Sequence, residues 1–189
     1  VRNYHFKPDV KNVYQIYNGV ATKAQFDERL AIRHRSHDAH PFTFVMMSVI
    51  TPKKGQEVAI RALAKLRDNG VDARLVIGGN GKADYLEHLT KLSGDLNLEA
   101  QVEFTGLIAD PLPTYFAADC ALICSENEAF SRAGLEATSI GLPLIGKNSG
   151  GNPEVIEHGR TGFLYDSFDE LVGFMKDLAL DQPKSQQMG

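Results

Sequence analysis

At 189 residues the chain is long enough for one domain with a full hydrophobic core. Its apolar fraction of 43% and charged fraction of 23% are ordinary for a globular domain, and no apolar run reaches the length that a membrane-spanning helix needs. The formal net charge of −4 argues against a nucleic-acid surface, which needs a basic stripe, and Val1-Arg2-Asn3-Tyr4-His5 lacks the shape of a signal peptide.

In chain order, Val13-Tyr14-Gln15-Ile16-Tyr17 is a strand candidate ended by the turn pair Asn18-Gly19. Residues 25–40 are polar, with a helix expected over 25–33. His34, His37 and His40 flank Asp38 there. Without a fourth ligand or a rigid element they read as a solvated segment, and no metal site is expected. Phe42-Thr43-Phe44-Val45-Met46-Met47-Ser48-Val49-Ile50 has the continuous apolar character of a strand buried on both faces. Thr51-Pro52 turns the chain. Residues 57–68 form an amphipathic helix with Ala59, Ala62, Leu63 and Leu66 inward, closed by Asn69-Gly70. Ala73-Arg74-Leu75-Val76-Ile77 is the next strand. Gly78-Gly79-Asn80-Gly81 then turns into a helix carrying Tyr85, Leu86, Leu89 and Leu92, with Gly94 after it.

Gln101-Val102-Glu103-Phe104 alternates like a strand and stops at Gly106. A short helix falls within 112–118, and Asp119-Cys120-Ala121-Leu122-Ile123-Cys124 is a buried strand. Cys120 and Cys124 would share a face roughly 13 Å apart, too far for a disulfide; buried free thiols fit a reducing, cytoplasmic compartment. Asn152 is expected to cap a short helix with Pro153 at its first position. Gly162-Phe163-Leu164-Tyr165 is a last strand. Ser167-Phe168-Asp169-Glu170 has capping-box spacing, and the helix behind it should bury Phe168, Leu171, Val172, Met175 and Leu178. Strands alternating with helices imply an α/β fold with a doubly wound, mostly parallel, Rossmann-like sheet. Residues 1–40 read as an interdomain segment, 41–181 as this domain and 182–189 as a disordered tail.

The chain is organised around the turn that follows the strand at 119–124. Ser125-Glu126-Asn127-Glu128-Ala129-Phe130-Ser131-Arg132-Ala133-Gly134-Leu135-Glu136-Ala137 runs from strand to helix, with helix over 135–140 closed by Gly141. Such turns at the carboxyl ends of strands are where ligands bind in open α/β sheets. Ser131 is an N-cap candidate, and first-turn amides attract phosphate and sugar oxygens. Glu128 lies in the turn and Glu136 inside the helix. One carboxylate can therefore face the reacting end of a ligand while the other holds a different part of it.

The Glu-x7-Glu spacing is followed by Gly141-Leu142-Pro143-Leu144-Ile145 and Gly150-Gly151-Asn152-Pro153-Glu154-Val155-Ile156. In these stretches the chain resembles the C-terminal, donor-binding domain of retaining glycosyltransferases of family 4, one half of a GT-B fold. Asn18-Gly19-Val20 matches the triplet that opens that domain. The resemblance covers roughly residues 12–180. It departs from the family where Ala129 and Ser131 replace glycines, and where Val49 stands in place of the arginine of Gly-Arg-Leu-x-x-x-Lys-Gly; Lys54-Gly55 match.

The resemblance implies that Lys54, with Lys53 beside it, neutralises the diphosphate of a nucleotide sugar such as a UDP- or GDP-sugar. It implies that Ile108 borders the base and that Glu128 contacts the sugar beside the reacting carbon. Backbone amides of Phe130, Ser131 and Arg132 would touch sugar and phosphate oxygens. Leu135 is a further implied donor-binding residue, and Glu136 would accept from the ribose diol. Glu128 and Lys54 are the implied catalytic groups. No cofactor is implied, and no Asp-x-Asp handle for a divalent metal occurs.

The implied reaction moves a hexosyl group to a glycan or lipid-linked hydroxyl in polysaccharide biosynthesis. The acceptor would be held by an N-terminal domain that this sequence does not contain, and the full-length protein would associate peripherally with a membrane. Both ends look cut. A non-catalytic nucleotide-sugar-binding or assembly module with the same fold is the alternative. A dehydrogenase is disfavoured, because Gly79-x-Gly81 is followed by Asp84 where the dinucleotide fingerprint wants glycine.

Overall fold

The computed structural model describes residues 22, 24, 25, 27, 28 and 40–189. The strand candidate at 13–17, the triplet at 18–20 and most of the histidine segment lie outside them. Residues 24, 25, 27 and 28 are helical, within the helix expected over 25–33 apart from its first residue.

Among the described residues six strands form one sheet: β1 Phe42–Met47, β2 Ala73–Gly78, β3 Val102–Gly106, β4 Cys120–Ile123, β5 Leu144–Lys147 and β6 Gly162–Tyr165. Their order is β3-β2-β1-β4-β5-β6 and every pairing is parallel. The helices between them are α1 Gln56–Asp68, α2 Ala83–Asp95, α3 Leu112–Phe116, α4 Arg132–Thr138, α5 Asn152–Val155, α6 Phe168–Leu180 and α7 Gln182–Met188. A 3-10 turn, Pro52–Lys54, precedes α1.

The alternation of side chains along β1 explains why the run is apolar on both faces apart from Thr43. Phe44 and Met46 enter one core cluster with Leu63, Leu66, Leu89, Met175 and Met188. Val45 enters the other, with Tyr115, Ala137, Ile140 and Leu144. Helices α1, α2, α6 and α7 thus cover one face, and α3, α4 and α5 the other. Sequence order reverses direction between β1 and β4, which opens a crevice above their carboxyl ends.

Several expectations are corrected by the structure. The tail at 182–189 is not disordered: it forms α7, where Asp181 caps the helix by accepting from the Lys184 amide and Met188 is buried. Asn152 is not a cap. Gly151 holds that place, and the fully buried Asn152 instead donates from Nδ2 to the Lys147 carbonyl. Phe168 is left exposed at the start of α6, although Leu171, Met175 and Leu178 are buried. Gly94 lies inside α2, α4 begins at Arg132, and β1 ends at Met47. The Ser131 cap and the Ser167 capping box form as expected.

Candidate functional site

A cleft of about 740 Å³ opens above the carboxyl ends of β1–β4. Its walls come from the segments after four strands: Ser48 and Val49, Gly78–Asn80, Leu107–Pro111 except Asp110, and the turn from Cys124 to Glu136. Lys54, Ile108, Glu128, Phe130, Ser131, Arg132 and Glu136 all line it. Residues distant in sequence therefore converge on the switch between β1 and β4. Leu135 does not line it; its amide donates to the Ser131 carbonyl inside α4. Lys53 faces a neighbouring cavity of about 710 Å³, which also contains Lys147, Tyr165 and Phe168. Lys54 and Glu128 line both cavities and form the crest between them.

Backbone contacts hold this crest in place. Gly55 has φ +76, and a Cβ there would lie 2.6 Å from the Cys124 carbonyl oxygen, so only glycine lets the Lys54 turn lie against the end of β4. Across the site, the Gly151 amide donates to the Glu128 carbonyl at 2.6 Å, and a Cβ on Gly150 (φ +61) would meet that same oxygen at 2.1 Å. The Gly-Gly pair thus clamps the turn that presents Glu128.

Lys54 Nζ donates to Glu128 Oε2 at 2.5 Å, and Ser125 Oγ donates to the same oxygen at 2.8 Å. The side chains are 31% and 16% exposed, so this ion pair is partly withdrawn from water and stronger than a surface pair. Within this pair the cation and the carboxylate neutralise each other. Arg132, largely solvent-exposed, lies 3.7 Å from Glu136.

Beneath Glu136, the buried Tyr115 hydroxyl donates to the Ala133 carbonyl at 3.2 Å. Burial pushes the Tyr115 phenol well above its ordinary value, and the Glu136 carboxylate adds to that, so the hydroxyl stays protonated under α4. Burial likewise pushes the Cys124 thiol up to about 11, with a hydrogen bond from Tyr165 opposing the shift. Cys124 lines the cleft but is a neutral thiol at physiological pH, unsuited to nucleophilic attack. Cys120 and Cys124 are both free and buried. Among the described residues no three His, Cys, Asp or Glu side chains converge as a metal-holding group, and no helix is long and apolar enough to cross a membrane.

Sequence reasoning missed two contributors. Ser48 and Gln56 stand at the cleft's β1 side, joined by a hydrogen bond from Gln56 Nε2 to Ser48 Oγ. A glutamine at the start of an amphipathic helix reads as surface, and only the fold shows it fully buried.

Comparison with known proteins gives this arrangement a context. The profile of the family "Glycosyl transferases group 1" matches residues 27–189. The GDP-mannose-dependent alpha-(1-6)-phosphatidylinositol monomannoside mannosyltransferase of Mycobacterium tuberculosis is 36% identical over 172 residues, 85% of this chain and 44% of that protein. The structure of Anabaena Alr3699/HepE solved with UDP and glucose superimposes with a TM-score of 0.76 at 28% identity, covering 92% of this chain and 49% of that one. The C-terminal domain of the group 1 glycosyl transferase LpcC from Francisella tularensis shares the fold, with a TM-score of 0.71 at 22% identity over 85% of this chain and 86% of that one. The chain spans less than half the length of the mycobacterial relative.

Proposed function

The chain belongs to the glycosyl transferases of group 1, and we propose that its cleft binds the nucleotide-sugar donor of a retaining hexosyl transfer. The observation that carries this reading is the convergence of Lys54, Ile108, Glu128 and Glu136 on one cleft at the switch between β1 and β4. Lys54 meets the diphosphate, Glu136 accepts from the ribose diol, the segment around Ile108 borders the base, and Glu128 faces the sugar. The amides of Phe130, Ser131 and Arg132 lie alongside, where they reach sugar and phosphate oxygens. The ligation of UDP in Anabaena HepE and the GDP-mannose dependence of the mycobacterial relative support a nucleoside diphosphate, with either base.

In the reaction, the bond from the anomeric carbon to the diphosphate breaks and a bond to the acceptor oxygen forms on the same face. The acceptor proton passes to a leaving phosphate oxygen. The developing anion needs positive charge and oriented donors rather than a protein nucleophile, and Lys54 supplies the charge without a metal or cofactor. Binding also rearranges the crest: as the diphosphate takes Lys54, the Glu128 carboxylate is released toward the sugar. The acceptor is a glycan or lipid-linked hydroxyl held by a second domain, in cytoplasmic or membrane-peripheral assembly of a surface polysaccharide. Nucleic acid is not a partner. This domain binds the donor, and transfer requires the second domain to position the acceptor and exclude water.

A second reading, a non-catalytic nucleotide-sugar-binding or assembly module, is favoured by one feature: the exposed Val49 brings no charge to the phosphate side of the cleft. Amide hydrogen exchange with and without UDP-glucose and GDP-mannose tests the site shared by both readings. Protection is expected at residues 48–54, 78–80, 107–111 and 128–136. Protection confined to the cavity around Lys53 and Phe168 would reject the assignment.

A further inference from the structure

The cleft offers little free charge to a diphosphate, because Lys54 is paired with Glu128 and Arg132 with Glu136. We propose that the Ser48 hydroxyl is a neutral hydrogen-bond donor to a phosphate oxygen of the ligand, and that the buried Gln56 is what turns its proton into the cleft. The inference rests on the nucleotide-binding reading above and adds to it a residue and a mode of recognition.

The argument is one of donors and acceptors. Gln56 is the first residue of α1 and is fully buried. Its Nε2 lies 3.0 Å from Ser48 Oγ and 3.0 Å from the Val49 carbonyl oxygen. A carbonyl only accepts, so the amide must present its nitrogen on this side, which fixes the Gln56 orientation. The same nitrogen therefore donates to Ser48 Oγ. A hydroxyl whose oxygen is already accepting keeps its own proton for another acceptor. No described residue takes that proton, and Ser48 lines the cleft alongside Lys54. The acceptor then comes from whatever the cleft holds.

The backbone makes this direction a fixed feature. The Ser48 amide donates to the Gly78 carbonyl at 3.0 Å and the Ile50 amide to the Asn80 carbonyl at 2.7 Å. Both segments are thus strapped together beyond the ends of β1 and β2, and α1 holds Gln56 beneath them. An anionic phosphoryl oxygen suits such a donor better than a sugar hydroxyl, because hydrogen bonds to charged acceptors are about twice as strong as neutral ones. The geometry supplies directional recognition where Val49 supplies no charge.

Ser48→Ala removes the donor yet leaves Gln56 Nε2 its Val49 acceptor, so the variant keeps its fold; thermal melting checks this. Calorimetric titration of the chain and of Ser48→Ala with UDP, GDP, uridine and guanosine, at two salt concentrations, reads the effect. The variant should bind the diphosphates about tenfold more weakly, which is about 1.4 kcal/mol. Nucleoside binding should not change, and the salt dependence should match that of the parent because no charge is lost. Equal diphosphate affinity in parent and variant overturns the inference, as does an equal loss for the nucleosides, which would place Ser48 away from phosphate. Failure of the parent itself to bind any nucleotide overturns the reading of the cleft, and this inference with it.

Discussion

Replacing the two members of the Lys54–Glu128 pair should have opposite effects on nucleotide affinity. The carboxylate lies 2.5 Å from the ammonium, and a phosphate oxygen accepting from the same ammonium would lie at about 2.8 Å. Were the carboxylate to stay on the ammonium, the two anions would be about 5 Å apart, and this repulsion is what drives its release. At an effective dielectric of about 20 their repulsion is about 3 kcal/mol, and solvent access to Lys54 reduces this to about 1 kcal/mol. Glu128→Gln should therefore bind UDP or GDP about fivefold more tightly. Lys54→Met should abolish measurable diphosphate binding. It should also cost about 2 kcal/mol of stability, because Glu128 is left largely withdrawn from water with, among the described residues, only the Ser125 hydroxyl to donate to its side chain. That corresponds to a fall in Tm of about 4–8 °C. Calorimetry and thermal melting of both single variants and the double variant complete the cycle. If Glu128→Gln weakens nucleotide binding, or Lys54→Met leaves it intact, the crest is not a phosphate-competed ion pair.

In a full-length protein, Glu136→Gln should raise donor KM with little change in kcat, at a cost of about 1.5–3 kcal/mol, because the ribose is held alike in ground and transition states. Glu128→Gln should instead lower kcat, since its carboxylate faces developing positive charge; unchanged kcat in both would remove its catalytic role. Stability should fall as pH rises from about 9 through 11: the unfolded Cys124 thiol ionises near 9.0 while burial holds the folded one up at about 11, and the buried Tyr115 and Tyr165 phenols shift the same way. Melting curves over pH 7–11 that stay flat would contradict the buried positions of these groups. Donor affinity should be the same within about twofold in EDTA and in magnesium; a loss of more than about tenfold in EDTA would mean that a metal, not Lys54, carries the diphosphate.

Strand runs such as Phe42–Met47 and Ala73–Gly78 were legible because helices cover both faces of the sheet and the runs are mostly apolar, with only Thr43 and Arg74 as polar members. Strand β5 was not, since Leu144–Lys147 is four residues long, contains Gly146 and follows Pro143 directly. Helix α7 was hidden by its polar composition; its place is fixed by the buried Met188 and by Ser185 donating to the Asp119 carbonyl, contacts that local sequence does not encode. For the site, Glu128, Glu136 and Lys54 stood out by spacing and resemblance. Their geometry did not. The Lys54–Glu128 bond, the displacement of Lys53 into a separate cavity and the Gln56–Ser48 contact all arise from chain segments brought together only by the fold.

The central claim is that the cleft above β1–β4 is a nucleotide-sugar site. Calorimetric titration of the chain with a panel of UDP-, GDP- and ADP-sugars tests it most directly, repeated with Glu136→Gln. The account predicts saturable one-to-one binding of at least one donor, competed by the matching nucleoside diphosphate and weakened about tenfold or more by Glu136→Gln. Absence of binding to every donor, or binding that Glu136→Gln leaves untouched, would contradict it.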